Sequence, residues 1–174
     1  VVSLSLAINY AIGGFDVRGY HAFNLAVHLS AGLLLFGLVR RTLRLPTLSP
    51  RVSGNADWIA FCVSLLWLVH PLQTESVTYI STRTESMAGM FYLSCLYAFL
   101  RAQASPHAAS WYVASVAACL LGMGSKANAV SIPIAVWLFD ALFISGSWLA
   151  PLRRRPFYYA ALALTWAGLG FLMV

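Results

Sequence analysis

The chain has 174 residues, of which 60% are hydrophobic and only 9% are charged, whereas a soluble domain carries about 25% charged residues. This number of polar groups is too small to cover the surface of a globule in water. The composition therefore excludes an ordinary soluble domain and predicts an all-α polytopic membrane bundle. The net charge of +6 does not indicate nucleic-acid binding, because most basic residues are confined to linkers between apolar segments.

The apolar segments predict the membrane helices. A short apolar stretch, 1–12, precedes the Gly13-Gly14 break. Beyond it, six windows approach the roughly 20 apolar residues that a spanning helix needs. Because both ends of the sequence lie in apolar stretches, we expect further elements of the same membrane domain on either side. The predicted bundle has about six membrane helices, near 20–39, 56–70, 86–101, 109–124, 127–146 and 157–174.

The linkers between these windows predict the orientation of the bundle. Eight of the eleven basic residues fall in three linkers, at 40–55, 101–108 and 147–156, and the positive-inside rule places such linkers in the cytoplasm. Alternation then puts 71–85 and 124–128 on the opposite side of the lipid bilayer. The unusual polar residues of the chain gather on that non-cytoplasmic side, so we expect function there.

The first window opens with a polar stripe formed by His21, Asn24 and His28. Spacings of three and four residues put all three side chains on one helix face. His28 would lie on the order of 10 Å deeper than His21, within the hydrocarbon. Such a stripe lines a functional cavity or makes hydrogen-bonded helix contacts, and the sequence leaves both open.

The segment 70–85 is the most informative part of the chain. Pro71 suits the first turn of a helix, and polar and apolar residues fall on separate arcs, which predicts a helix at the membrane surface. The helix either only connects two spans or presents a site. Its candidate site residues are His70, Gln73, Glu75, Arg83 and Glu85.

Two further charged residues lie at the ends of later windows. Lys126 stands at the non-cytoplasmic junction of two spans, where it either extends to the interface or holds an anionic group near a helix start. Asp140 lies near the cytoplasmic end of its span, so we expect it to pair or cap. Cys62, Cys95 and Cys119 sit in apolar runs without metal or disulfide spacing, which indicates small core or lipid-facing side chains.

Three blocks of sequence resemble one family in the same order. They are L-A-I-N-Y-A-I-G-G at 6–14 leading to H-A-F-N-L-A-V-H at 21–28, H-P-L-Q-T-E-S-V-T-Y-I-S-T-R-T-E at 70–85, and S-K-A-N-A-V-S-I-P at 125–133. Together they resemble the membrane domain of the TMTC-type transmembrane O-mannosyltransferases, whose membrane part is usually followed by tetratricopeptide repeats.

The resemblance implies a fold and an activity. It implies a GT-C-type glycosyltransferase that transfers a sugar, mannose or a similar hexose, from a polyprenyl-phosphate carrier to a hydroxyl of a protein acceptor. The active site would face the periplasm or the lumen, in a bacterial inner membrane or an endoplasmic reticulum membrane.

The resemblance also implies roles for the candidate residues. Arg83 and Lys126 would bind the donor phosphate, and Glu75 or Glu85 would act in catalysis or bind a divalent cation. The family usually reads Ser-Lys-Glu where this chain has Ser125-Lys126-Ala127, and its principal acidic residues would lie before Val1. The expected cavity lining comprises His21, Asn24, His70 and Gln73.

Two other classes of function compete with this interpretation. A transporter or flippase-like protein would use the polar stripe as a substrate or proton path, although the sequence shows no internal repeat of the kind common in transporters. A non-catalytic membrane anchor for a repeat domain is the other class.

The predicted orientation is open to a direct test. Cysteines introduced at Glu75 and Lys126 in a cysteine-free background should react with an impermeant maleimide from the non-cytoplasmic side, because the arginine-rich linkers stay in the cytoplasm. A cysteine in the 40–55 linker is the control and should react only after the membrane is opened. Labelling of Glu75 and Lys126 positions from opposite sides would contradict a common site.

Overall fold

The computed structural model describes residues 1–73, 79 and 82–173, with side chains described through residue 170. This part of the chain forms helices and turns without strands, which confirms the all-α prediction. Turns of 3-10 helix occupy Pro71–Gln73 and Ala127–Ser131, and the π-helical segment Asp140–Ser145 extends α7. The α-helices are α1 (Val2–Gly13), α2 (Val17–Leu43), α3 (Pro50–Gly54), α4 (Ala56–Leu68), α5 (Arg83–Ala102), α6 (Ala108–Met123), α7 (Ile132–Phe139), α8 (Ala150–Arg154) and α9 (Pro156–Met173).

The helices begin and end close to the predicted windows, but fewer of them qualify as membrane spans. Two helical runs of the described chain, Val17–Leu43 and Ala127–Ser145, are long and apolar enough to cross a bilayer, where the sequence predicted about six. α4 and α6 are only 13 and 16 residues long, and α5 carries charged residues near both ends. The predicted break after α1 is confirmed, because Gly14 adopts a φ of 58°, which favours glycine.

The packing of α4 on α2 suits an apolar solvent. The face of α4 that is buried carries small residues, Ala56, Ala60 and Ser64, at successive spacings of four. Small residues let helix backbones approach closely in a membrane. The opposite face exposes large apolar side chains, with Trp58 72% and Leu66 68% exposed. Only a third of the apolar window in each candidate span is buried, whereas the core helix of a soluble protein would be mostly buried.

The main core lies between α5, α6, α7 and α9. It contains Phe99, Ile132, Val136 and Leu162, each at most 1% exposed. Cys95 and Cys119 are buried in the same core, and Cys62 is exposed on an apolar helix. The prediction for the cysteines is therefore confirmed. This core holds one half of the bundle together. In the other half, α1 and α4 pack on α2, and α2 in turn packs on α5.

Gly32 tests the close approach of α2 and α4. A Cβ at this position would lie 2.5 to 2.8 Å from side-chain atoms of Leu68, so Gly32→Ala should destabilise the protein by about 1 to 3 kcal/mol. Gly168→Ala is the matched control, because nothing lies within 4 Å of a Cβ there. Thermal unfolding in detergent measures both. Equal midpoints for the two variants would contradict the tight α2–α4 contact.

Candidate functional site

A buried guanidinium joins three helices at one end of the bundle. Arg83 opens α5 and is 1% exposed. Its Nε donates to Asn24 Oδ1 at 2.8 Å, and its Nη1 donates to Asn9 Oδ1 at 2.7 Å and to Ser5 Oγ at 3.4 Å. Its Nη2 donates to the Tyr20 carbonyl at 3.2 Å. Arginine can serve α1 and α2 at once because its donors form a rigid fork.

The surroundings of Arg83 are polar and aromatic but uncharged among the described residues. The guanidinium carbon lies 4.5 Å from the Phe23 ring centre and 5.5 Å from that of Tyr20, within the range of cation–π attraction. Asn24 is fully buried and also donates from Nδ2 to the Tyr79 carbonyl at 3.3 Å. The Asn24 amide thus couples α2 to the segment before α5.

Two members of this cluster were not predicted as site residues. Ser5 and Asn9 bond Arg83 from α1. Their spacing of four residues puts them on one helix face, which is a signal that the sequence carried. Asn9 also belongs to the 6–14 block on which the family resemblance rests. Both segments of the first block, 6–14 and 21–28, therefore meet the 70–85 block at a single side chain.

A cavity of about 440 Å³ opens between α2, α4, the Pro71–Gln73 turn and α5. It brings together residues from the predicted stripe and from the 70–85 segment, together with the apolar side chains of Trp67, Leu72 and Met90. This volume lies in the range of small-molecule sites, about 300 to 1,000 Å³. The polar side chains that line it are His28, Gln73, Thr82, Glu85 and Ser86.

His28 combines the two roles that the sequence left open. Its Nε2 donates to the Leu68 carbonyl at 3.0 Å, and a carbonyl near the end of α4 lacks a partner within its own helix. The imidazole stacks on Trp67 with ring centres 5.1 Å apart. His28 is therefore a helix contact that also forms part of the cavity wall.

Glu85 and Lys126 form an ion pair beside the cavity. The pair joins the first turn of α5 to the residue before the Ala127–Ser131 turn. Both partners reach solvent, since the Glu85 side chain is 54% exposed and that of Lys126 is 31% exposed. An exposed pair of this kind contributes about 0 to 1 kcal/mol, so other charged groups can replace either partner at small cost.

The remaining predicted site residues lie at the surface or outside the described chain. His21 and His70 are exposed, and His70 Nδ1 accepts the Leu72 N–H at 3.2 Å, which supports the Pro71–Gln73 turn. Glu75 and the rest of 74–78, together with residues 80 and 81 of the predicted surface helix, lie outside the described residues. In the part of the chain that the structure describes, no three His, Cys, Asp or Glu side chains are grouped to hold a metal.

Asp140 belongs to a separate cluster at the other end of the bundle. It is fully buried and accepts hydrogen bonds from Arg155 at 2.7 Å, Tyr159 at 2.8 Å and Ser145 at 2.7 Å. The prediction that Asp140 pairs is confirmed. These three donors satisfy the buried carboxylate, and it serves structure at this end.

Replacement of Asn24 tests the buried cluster. Asn24→Leu removes the acceptor of Arg83 Nε and the donor to the Tyr79 carbonyl, and should cost about 2 to 4 kcal/mol because the charged Arg83 donor stays buried without a partner. Asn24→Asp should cost less, because it still accepts from Arg83. Asn128→Leu, an exposed position, is the control for thermal unfolding in detergent. If the unfolding midpoint of Asn24→Leu equals that of the control, Asn24 does not stabilise the cluster.

Comparison with known proteins places these features in a family context. The chain is 30% identical over 107 residues to protein O-mannosyl-transferase Tmtc3 of Drosophila melanogaster, which covers 56% of this chain and 12% of that protein. It is 30% identical over 99 residues to protein O-mannosyl-transferase TMTC2 of Mus musculus, covering 57% of this chain and 10% of that protein. It is 27% identical over 157 residues to the human TMTC4 protein, covering 81% of this chain and 20% of that protein.

These matches concern a limited part of each relative. The chain spans about a tenth to a fifth of the length of these curated relatives. No family model matches the chain, and no solved structure matches it. The matches nevertheless confirm the resemblance drawn from the three sequence blocks: along more than half of its length, this chain is similar to the TMTC-type protein O-mannosyl-transferases.

Proposed function

We propose that the chain forms part of a membrane glycosyltransferase that moves a hexose, mannose in the first instance, from a polyprenyl-phosphate carrier to a protein hydroxyl. The observation that carries the proposal is the meeting of the three family-like blocks at one end of the bundle. The guanidinium of Arg83 is hydrogen-bonded there to both Asn9 and Asn24. Beside the cavity, Glu85 pairs with Lys126. The names of the relatives support a glycosyltransferase role.

The chemistry needs a base and a cation. The acceptor hydroxyl attacks the anomeric carbon of the sugar, the bond from that carbon to the phosphate oxygen breaks, and the polyprenyl phosphate leaves with the electron pair. A base takes the hydroxyl proton, and a cation stabilises the charge that develops on the leaving phosphate. Glu85, which lines the cavity, and Lys126, which pairs with Glu85 beside it, supply one group of each kind.

The weak ion pair suggests how the donor binds. In our proposal the donor phosphate replaces the Glu85 carboxylate as the partner of Lys126, whose ammonium acts as a point charge. The freed Glu85 carboxylate then accepts a hydrogen bond from a sugar or acceptor hydroxyl. His28 and Gln73 line the same cavity and offer polar contacts to the sugar ring. Glu75 stays a second candidate for the base.

Arg83 has a different role in this proposal from the one that the resemblance implied. Its guanidinium makes four hydrogen bonds to described protein groups and is 1% exposed. Direct binding of phosphate would require it to give up bonds to Asn9 or Asn24. We therefore propose that Arg83 positions the first turn of α5, and with it Glu85, and that phosphate binding by Arg83 is secondary.

The site faces the periplasm or the lumen in this proposal. Its support is the charge pattern: the opposite end of the bundle carries the arginine-rich linkers, which the positive-inside rule assigns to the cytoplasm. The membrane is then a bacterial inner membrane or that of the endoplasmic reticulum. A GT-C-like bundle requires the shorter helices, α4 and α6, to cross as well, which local thinning of the bilayer permits at modest cost.

Lys126→Ala in the full-length protein tests the proposed phosphate contact. Loss of one stabilising group on a leaving oxygen lowers transfer by about 10²- to 10³-fold, and we expect Lys126→Arg to retain part of the activity because it keeps the charge. Glu85→Gln should also lower transfer. The transfer rates are measured in membranes, as transfer of labelled mannose from polyprenyl-phosphate mannose to an acceptor protein.

Arg18→Ala is the matched control, because Arg18 is an exposed cation at the same end of the bundle that, unlike Lys126, forms no ion pair with the cavity residue Glu85. Its transfer rate should equal that of the wild type. A Lys126→Ala enzyme with unchanged kcat and KM would remove Lys126 from the site. A full-length protein with no transferase activity, despite normal insertion, would favour the anchor function instead.

A further inference from the structure

A second cavity, of about 480 Å³, lies at the end of the bundle opposite to the proposed transferase site. It opens between the C-terminal turns of α2 and α5. Three arginine residues, Arg40, Arg41 and Arg44, line it. The other wall residues are Leu45, Pro46, Leu100, Gln103 and Ala104, so the described wall is basic on one side and mainly apolar on the other.

One carboxylate, that of Asp57, pairs with two of the three arginines. Asp57 accepts from Arg40 Nε at 2.5 Å and from Arg44 Nη2 at 2.8 and 2.9 Å. Arg41 instead lies over the Tyr97 ring, 5.8 Å from its centre, and pairs with no carboxylate among the described residues. The cavity therefore has an excess of positive charge.

Other groups near the cavity do not neutralise this excess. The Gln103 amide is uncharged and fully engaged, since its oxygen accepts from Arg155 at 2.5 Å and its nitrogen donates to the Phe99 carbonyl and the Tyr112 hydroxyl. Asp140, the other carboxylate at this end, is buried against Arg155. By sequence, eight basic and two acidic residues belong to this end, so it carries the entire net charge of +6.

We propose that this cavity binds a phosphate group, with Arg41 as its principal contact. A guanidinium can bind phosphate oxygens in a bidentate manner. The Arg40 and Arg44 side chains are 42% and 46% exposed, so both can turn towards an anion without breaking a buried contact. The phosphate belongs to an anionic phospholipid headgroup or to a soluble anion, and basic pockets at cytoplasmic helix ends are suited to lipid headgroups.

The proposed phosphate site is independent of the transferase function, because it lies at the other end of the bundle and its test needs no activity. The chain is reconstituted in nanodiscs of phosphatidylcholine, with or without phosphatidylglycerol, and in phosphatidylcholine nanodiscs with inorganic phosphate. Thermal unfolding is followed for the wild type, Arg41→Gln, Arg41→Lys and Arg51→Gln. The last variant removes one charge from the same end at an exposed position that does not line the cavity.

We expect phosphatidylglycerol or phosphate to raise the wild-type midpoint by about 5 to 10 °C. Arg41→Gln should lose most of this shift, whereas Arg41→Lys should keep part of it and Arg51→Gln nearly all of it. A shift with phosphatidylglycerol alone identifies a lipid headgroup as the source, and a shift with inorganic phosphate identifies a soluble anion.

Three results would overturn the proposal. They are no shift in the wild type with either probe, an equal shift in the wild type and Arg41→Gln, and a loss in Arg51→Gln as large as that in Arg41→Gln. The last result would mean that general surface charge, and not the cavity, attracts the anion. The midpoint of Arg41→Gln without phosphatidylglycerol or phosphate shows whether this variant is folded. If Arg41→Gln does not fold, the shift measured for Arg41→Lys decides the test in its place.

Discussion

The arrangement of the first half of the bundle depends on the burial of one positive charge. Taking a guanidinium out of water costs several kcal/mol, which good geometry and full hydrogen bonding must offset. Arg83 meets this requirement with neutral acceptors on α1 and α2 and with two aromatic rings. Because these acceptors come from separate helices, the position of the guanidinium fixes α1, α2 and the start of α5 relative to one another. Glu85, two residues further along α5, is thereby directed to the cavity.

Much of the fold could be predicted because apolar runs separate clearly from charged linkers. α2 and the run from Ala127 to Ser145 occupy the windows expected of them, and the Gly13-Gly14 break stands where predicted. Fewer helices than predicted have the length and composition of a span, and α4 shows a physical reason. α4 ends at Leu68, just before Pro71 removes a backbone donor, so the apolar window exceeds the helix that it contains.

The candidate site was predicted in part, and the limits are those of local reasoning. Helical spacing was sufficient to put Asn24 and His28 on one face, and both are buried. Spacing could not identify their partners, because Arg83 lies 59 residues from Asn24 and the Leu68 carbonyl 40 residues from His28. Asn9 was missed since α1 was taken only as an apolar stretch. His21 belongs to the same predicted face but lies on the exposed first turn of α2.

The two ends of the bundle hold their cations in different ways, and this difference bears on function. At one end Arg155 is bound to a buried carboxylate, Asp140, and separating the two would leave a buried charge without a partner. At the other end Arg83 has neutral partners, and Lys126 has only an exposed carboxylate. An anionic substrate gains most where a cation is already held in place by the fold but is not committed to a buried anion. Lys126, whose only carboxylate partner among the described residues is the exposed Glu85, meets that condition, which supports our proposal of a phosphate-linked donor at this end, and Arg41 meets the same condition in the phosphate site proposed at the other end.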